Sequence, residues 1–145
     1  MTGPARILVV DDAEATLEVL RRQLEDRGHR VWTATEVQAA LTSLDDEALD
    51  LVITDLRMPG QDGLDLVRHV RENRPDLEII LLTAKSEKED LVAAMDAGAD
   101  DFLAKPFDRD ELRVRMREGE RIIHLERALA EQNRQLRATQ AALVQ

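Results

Sequence analysis

Five short apolar runs punctuate this chain, and each gives way to a stretch with helical spacing. They are Ile7–Val10, Val31–Ala34, Leu51–Asp55, Ile79–Thr83 and Asp101–Lys105. Runs this short, bounded by turn signals, read as strands rather than helices. Strands that alternate with helices form βαβ units, and their sheet is parallel with both faces covered. Right-handed crossovers then leave few arrangements, so the expected class is α/β, a doubly wound five-stranded parallel sheet. The fifth run is the shortest in apolar content and the most polar, which places it at an edge.

The helical segments carry their own punctuation. Leu17, Val19, Leu20 and Leu24 recur at helical spacing, with Gly28 placed to end the helix. Thr35 and Gln38 have the capping-box pattern, opening a helix with Val37, Ala40, Leu41 and Leu44. Asp45-Asp46-Glu47 reads as a solvated connection, and Pro59-Gly60 as a turn after the third strand. Leu64, Val67 and Val70 define a third helix, stopped near Pro75. Ser86 and Glu89 form a second capping pattern ahead of Leu91, Val92 and Met95, with the helix ending at Gly98. Asp108 and Glu111 have the form of an N-cap and N3 pair, and the last helix carries Leu112 and Met116.

That last helix has no evident stop. From Asp108 to Gln145 there is no proline, and only Gly119 interrupts good helix formers. Ile122, Leu129, Leu136 and Leu143 recur every seven residues, the spacing of a coiled-coil seam. The partner positions are either Leu125, Gln132 and Thr139 or Glu126, Asn133 and Gln140. The expected division is a globular unit over 1–118 and a helical coiled-coil linker or dimerisation segment over 119–145. The pattern runs uncapped to Gln145, which suggests a fragment or a missing output module.

Charge narrows the function. Residues 1–106 hold 12 Lys/Arg against 23 Asp/Glu, a formal −11, and the remainder holds 8 against 7, or +1. An acidic body without a basic stripe argues against direct nucleic-acid binding. Without cysteine there are no disulfides or thiolate metal sites. No run approaches the ~18 residues of a membrane span, and the start lacks a signal-peptide core. The expectation is a soluble, cytoplasmic protein that does not enter membranes.

In open α/β sheets, ligands bind beyond the carboxyl ends of the strands. Strand one ends in Asp11-Asp12, strand three in Asp55, strand four in Thr83-Ala84 and strand five in Lys105-Pro106. Parallel strands bring these groups to one edge. Three adjacent carboxylates repel unless a cation intervenes, and an all-oxygen set suits a hard ion such as Mg²⁺. Lys105 adds a positive charge and Thr83 a hydroxyl. Such a site can hold the oxygens of a phosphoryl group, with Asp55 as the nucleophile.

The chain resembles the receiver domain of two-component response regulators, in particular the chemotaxis-regulator type. The matching text is VVDD (9–12), ITDLRMPGQDG (53–63), LLTA (81–84) and AGADDFLAKPF (97–107), within residues 6 to 118. The resemblance implies the flavodoxin-like strand order 2-1-3-4-5 and a phosphoacceptor role for Asp55. It implies Mg²⁺ held by Asp12, by Asp11 through water, by Asp55 and by the backbone carbonyl of Arg57. Lys105 would pair with the phosphoryl group and Thr83 would hydrogen-bond it. Phe102 would be the switch aromatic coupled to Thr83, and the Lys105-Pro106 bond would be cis. Arg57 and Lys85, two residues after Asp55 and Thr83, stand where members of the family vary and influence dephosphorylation.

The implied function is a phosphorylation-dependent signalling switch, not an enzyme beyond its own phosphorylation and dephosphorylation. Its donor would be a histidine kinase or phosphotransfer protein. The fourth helix, fifth strand and fifth helix would change arrangement. The tail would pair as a homodimer and control a downstream output domain. A haloacid-dehalogenase-type phosphatase also uses an aspartate at a strand end, but it places a second Asp two residues on, where this chain has Arg57, and no cap domain is visible. A vestigial scaffold is the other rival, and it conflicts with the full set of expected residues.

Overall fold

The computed structural model describes residues 4–46, 48–58 and 61–144. Its strands are β1 (Arg6–Val10), β2 (Arg30–Ala34), β3 (Leu51–Asp55), β4 (Glu78–Thr83) and β5 (Asp101–Ala104). Its helices are α1 (Glu14–Asp26), α2 (Val37–Asp46), α3 (Gly63–Asn73), α4 (Lys88–Asp96) and α5 (Arg109–Val144). All neighbouring strands of the five-stranded sheet are parallel, in the order β2-β1-β3-β4-β5. This is the doubly wound order that the resemblance implied, with the polar β5 at an edge.

Alternation along each strand sorts the core into two layers. Leu8, Val10, Val52, Ile79 and Leu81 face α2, α3 and α4, where they meet Ala40, Leu44, Leu66, Val67, Val70 and Ala94. Ile7, Val9, Leu51, Ile53, Ile80 and Leu82 face the opposite way, toward Leu17, Leu20 and Leu24 of α1 and Leu112, Met116 and Ile123 of α5. β3 and β4 lie in the middle and are buried along their whole length, which is why they read as continuous apolar runs.

Two glycines end helices as the sequence suggests. Gly28 has φ of +92°, its N–H donates to Glu25 O, and the next N–H, of His29, donates to Leu24 O. Gly98 repeats this Schellman arrangement at φ of +123°, with bonds to Met95 O and from Ala99 N–H to Ala94 O. Asp108 caps α5 as its spacing indicates, its side chain accepting from Glu111 N–H at 2.8 Å.

Several local expectations need correction. α2 begins at Val37, and the carbonyl of Glu36 accepts its first helical bond, from Ala40 N–H. Thr35 and Gln38 are therefore not the N-cap and N3 pair. Asp45 and Asp46 belong to α2's last turn, and Glu47 lies outside the described residues. Ser86 and Glu89 do not open α4. A 3₁₀ turn, Lys85–Glu87, precedes it, and the Glu87 carboxylate accepts Ala84 N–H at 3.3 Å. Val19 and Val92 point outward, 46% and 53% exposed, because each lies off its helix's apolar stripe. A two-stranded antiparallel ribbon, Arg57–Met58 with Gln61–Asp62, was not anticipated. The Pro59-Gly60 turn that would join its arms falls outside the described residues.

α5 continues without a break for 36 residues, roughly 54 Å at about 1.5 Å per residue. It stays against the body past residue 118. Gly119 and Ile123 are buried, and Arg127 pairs with Asp50 at 2.8 Å. Glu120 pairs with Arg27 and with His29, both at 2.5 Å. His29 Nδ1 accepts Ala5 N–H at 2.9 Å, so its other nitrogen carries the hydrogen donated to Glu120.

Candidate functional site

The carboxyl edge of the sheet gathers the groups that the strand ends nominated. Leu56 N–H donates to Leu82 O at 3.0 Å, and Lys105 N–H to Thr83 O at 2.7 Å. These bonds extend the β3–β4 and β4–β5 ladders just past the strands and fix where Asp55 and Lys105 leave the sheet. The Lys105–Pro106 peptide bond is cis. Gly63 closes the floor. A Cβ built there would lie 2.5 Å from the Asp55 carbonyl oxygen and 2.6 Å from that of Leu56, so no side chain fits without backbone movement.

Asp11, Asp12 and Asp55 each bring a carboxylate oxygen within 4.8 Å of the others. Asp11 is fully buried and Asp55 is 6% exposed, whereas Asp12 faces solvent. Lys105 Nζ bridges the two buried members, at 2.7 Å from Asp11 Oδ2 and 3.3 Å from Asp55 Oδ2. Asp11 is also tied locally, accepting Ala13 N–H at 2.9 Å. Burial, and then the charge of Asp11, hold the Asp55 carboxyl above its ordinary range, against the pull of Lys105 and the Arg57 backbone N–H. Burial disfavours the Lys105 ammonium, but hydrogen bonding and attraction to Asp11 and Asp55 win, so its acidity is weakened.

This electrostatic imbalance has a chemical meaning. Three carboxylates share one ammonium, and one carboxylate is already biased toward protonation. A divalent cation among the three would relieve that bias, and the oxygen-only ligand set matches a hard ion. The donor set therefore fits such an ion.

The remaining nominated residues lie around this cluster. Thr83 is buried at 3% exposure, and its hydroxyl lies 3.2 Å from Ala84 O and 3.4 Å from Glu87 Oε2. Phe102 is half-buried, in register with Leu81, and the guanidinium of Arg115 sits 5.6 Å from its ring centroid. The Arg57 side chain reaches α4 instead of the carboxylates, meeting Asp90 at 2.5 Å.

Sequence reasoning missed a second charged cluster at the opposite end of the sheet. Glu78 is only 7% exposed, and burial, with the charges of Asp100 and Glu126, raises its pKa to about 7 against the pull of Arg71. Arg71 staples this end, bonding Gly98 O and pairing with Asp100 at 2.9 Å. A charged residue within the apolar run Leu77–Leu82 was the available signal.

The tail shows which of its faces is occupied. Ile123, Glu126 and Arg127 turn toward the body, with Glu126 near enough to Asp76 and Asp100 to be held above the ordinary carboxylate range, chiefly by burial. Leu125, Leu129, Leu136 and Leu143 are exposed, from 54% to 80%. No helix among the described residues is long and apolar enough to cross a membrane.

Comparison with known proteins gives one consistent result. The model of the response regulator receiver domain matches residues 7–117. The response regulator MprA of Mycolicibacterium vanbaalenii is 46% identical over 114 residues, covering 79% of this chain and 49% of its own. The chain thus spans about half the length of the curated relatives it matches. Among solved structures, the receiver domain of NtrX from Brucella abortus superposes with a TM-score of 0.75 at 32% identity, covering 79% of this chain and 98% of its own. The signal receiver domain of an HD domain-containing protein from Pseudomonas fluorescens superposes at 0.80 with 29% identity, covering 88% and 94%.

Proposed function

Because this chain belongs to the response regulator receiver domain family, we propose that it is a phosphorylation-dependent switch whose phosphoacceptor is Asp55. The observation that carries this reading is the bridge from Lys105 to both Asp11 and Asp55, beside a third carboxylate. One side chain stands ready as nucleophile, and the cation next to it is placed to bind phosphoryl oxygens.

In the proposed reaction, a histidine kinase or phosphotransfer protein presents a phosphohistidine. An Asp55 carboxylate oxygen attacks phosphorus while the phosphorus–nitrogen bond breaks, and the imidazole leaves with that electron pair. Asp11, Asp12, Asp55 and the Arg57 carbonyl would hold Mg²⁺, which supplies charge neutralisation for the phosphoryl oxygens. Lys105 keeps one partner oxygen oriented, and its single positive charge shifts toward the phosphoryl group. Thr83 donates its hydroxyl hydrogen to the adduct, and the Phe102 side chain, on β5, repacks. The reaction relies on positioning and electrostatics. The protein turns over only its own aspartyl phosphate, in the cytoplasm.

The output runs through α5. We assign residues 1–118 to the receiver unit and 119–145 to a linker that pairs with a second copy, its first turns through Arg127 also packing on the receiver unit. With Glu126 turned to the body, the better seam is Ile122, Leu129, Leu136 and Leu143 with Leu125, Gln132 and Thr139. That strip lies on the side of the helix away from Ile123. Phosphorylation alters this pairing and so controls an attached output domain.

Intact-mass spectrometry tests the acceptor assignment. Incubation with acetyl phosphate and magnesium adds one phosphoryl mass to the wild type and none to Asp55→Asn. A wild type that stays unmodified would falsify the proposal.

A further inference from the structure

Glu78 is a buried charged group that the phosphoryl chemistry does not use. It opens β4 and shares the parity of Ile80 and Leu82, so its side chain lies on the sheet face that α5 covers. It is 7% exposed and accepts no hydrogen bond from any described residue. Asp100 and Asp101 face it from the entry to β5, Glu126 faces it from α5, and Arg71 of α3 is the cation that opposes them. Arg71 has no donor left for it. Nε and Nη2 bond Gly98 O, Nη1 bonds Pro75 O and Leu77 O, and Nη2 also bonds Asp100, which uses all five N–H groups. Arg115 of α5 pairs with Asp101 at 3.6 Å, and Glu126 has Asp76 and Asp100 as further like-charged neighbours. Above this cluster α5 has a weak point. Its buried positions are Leu112, Met116, Gly119 and Ile123. A Cβ on Gly119 would meet only Leu51 Cδ1, at 3.5 Å, an ordinary contact. Packing therefore does not demand glycine there, yet glycine weakens a helix interior. Leu51 is the β3 residue in register with Glu78.

We propose that α5 hinges at Gly119 under the control of a proton on Glu78: with Glu78 protonated the stretch from 120 to 127 stays docked, and with Glu78 ionised it lifts more readily and carries the linker with it. The inference concerns the linker of the proposed switch, and it stands or falls independently of the phosphoacceptor assignment. Lifting the stretch separates Glu126 from Glu78 and opens Glu78 to water, and both changes favour the carboxylate. Burial and neighbouring negative charge set the docked Glu78 at about 7, against 4.5 for a free side chain. A group whose pKa is raised in the docked form supports docking at low pH, and that support is lost as pH rises through about 7. Ile123, 5% exposed, opposes the lift, as do the pairs of Glu120 with Arg27 and His29 and of Arg127 with Asp50. The lifted form is therefore the minor one, and the proton sets its population.

The test uses the full 145-residue chain, which has no cysteine, so that single introduced thiols report opening. Ile123→Cys places a thiol under the docked stretch, Val9→Cys places one in the sheet core, and Leu143→Cys places one in solvent. Each is labelled with iodoacetamide, and its rate is divided by that of the position 143 variant at the same pH to remove thiol ionisation. The relative rate at position 123 exceeds that at position 9 and rises about tenfold from pH 6 to pH 8, as a shift from 4.5 to about 7 requires. Adding Glu78→Gln removes this rise. Adding Gly119→Ala slows labelling at position 123 about fivefold, the helix-propensity difference between the two residues. Labelling at position 123 that is no faster than at position 9 means opening only by global unfolding, and it overturns the proposal. A rise with pH that survives Glu78→Gln overturns the proton control, and equal rates with and without Gly119→Ala overturn the hinge.

Discussion

Replacing Glu78 with glutamine should make the protein more stable, and increasingly so as pH rises. Glu78 lies at the start of β4, 7% exposed, with Asp100 and Glu126 as negative neighbours and Arg71 as the opposing cation. Its pKa rises from 4.5 to about 7 in the folded chain. A folded-state pKa above the unfolded value means the native state binds the proton more tightly. That contribution to stability is fully present below pH 4.5 and is gone once pH exceeds about 7. At about 1.4 kcal/mol per unit, the shift amounts to roughly 3 kcal/mol, and roughly 2 kcal/mol of it falls between pH 5 and 8. Glutamine keeps the shape and never ionises, so it does not suffer this loss. Urea denaturation without divalent cations should show the variant's advantage growing by roughly 2 kcal/mol across that window. In thermal melts this corresponds to about 5 °C. An advantage that is constant, or that shrinks with pH, would refute the claim that Glu78 is buried among like charges.

Four further outcomes follow. Gly63→Ala pushes a methyl into the Asp55 and Leu56 carbonyls, so it should cost about 3 kcal/mol or more and reduce phosphorylation of Asp55 along with stability. Asp55→Asn relieves a buried carboxyl that is held above its ordinary range, so it should raise the melting temperature without divalent cations and abolish the stabilisation that magnesium gives the wild type. Glu120 is held below its ordinary range because its bonds to Arg27 and His29 outweigh burial. Its contribution is therefore present above its unfolded pKa and lost as pH falls through the folded value, so Glu120→Gln should cost about 1–2 kcal/mol at neutral pH and less in acid, read by chemical denaturation. Leu136→Lys should abolish tail pairing in analytical ultracentrifugation at micromolar concentration and leave the melting of the body within about 0.5 kcal/mol of wild type.

The sheet was legible because burial on both faces forces continuous apolar runs, and Leu51–Asp55 and Ile79–Thr83 have no other comfortable state. The strand-end residues were legible for the same reason, since parallel pairing fixes which end they share. Helix starts were harder to read. Thr35-Gln38 and Ser86-Glu89 have the right spacing, yet the helices begin at Val37 and Lys88, because the strand-to-helix connections set the entry point and capping chemistry adapts to it. The contacts of Glu87, Asp90, Arg71 and Glu120 were not legible at all. Each joins segments far apart in sequence, or depends on a loop path that no local pattern encodes.

The bonds from Glu120 and Arg127 to the body fix the rotational setting of α5 ahead of the exposed Leu129, Leu136 and Leu143. Downstream of Arg127 the helix behaves as an indexed shaft, turning about 100° with every added residue. Inserting seven residues after Arg127 returns the leucine strip to nearly its original heading, about 20° short of two full turns. Inserting two swings it by about 160° and aims it at the wrong side. Whatever the shaft drives should therefore respond to insertions in a sawtooth with heptad spacing, and not in proportion to length.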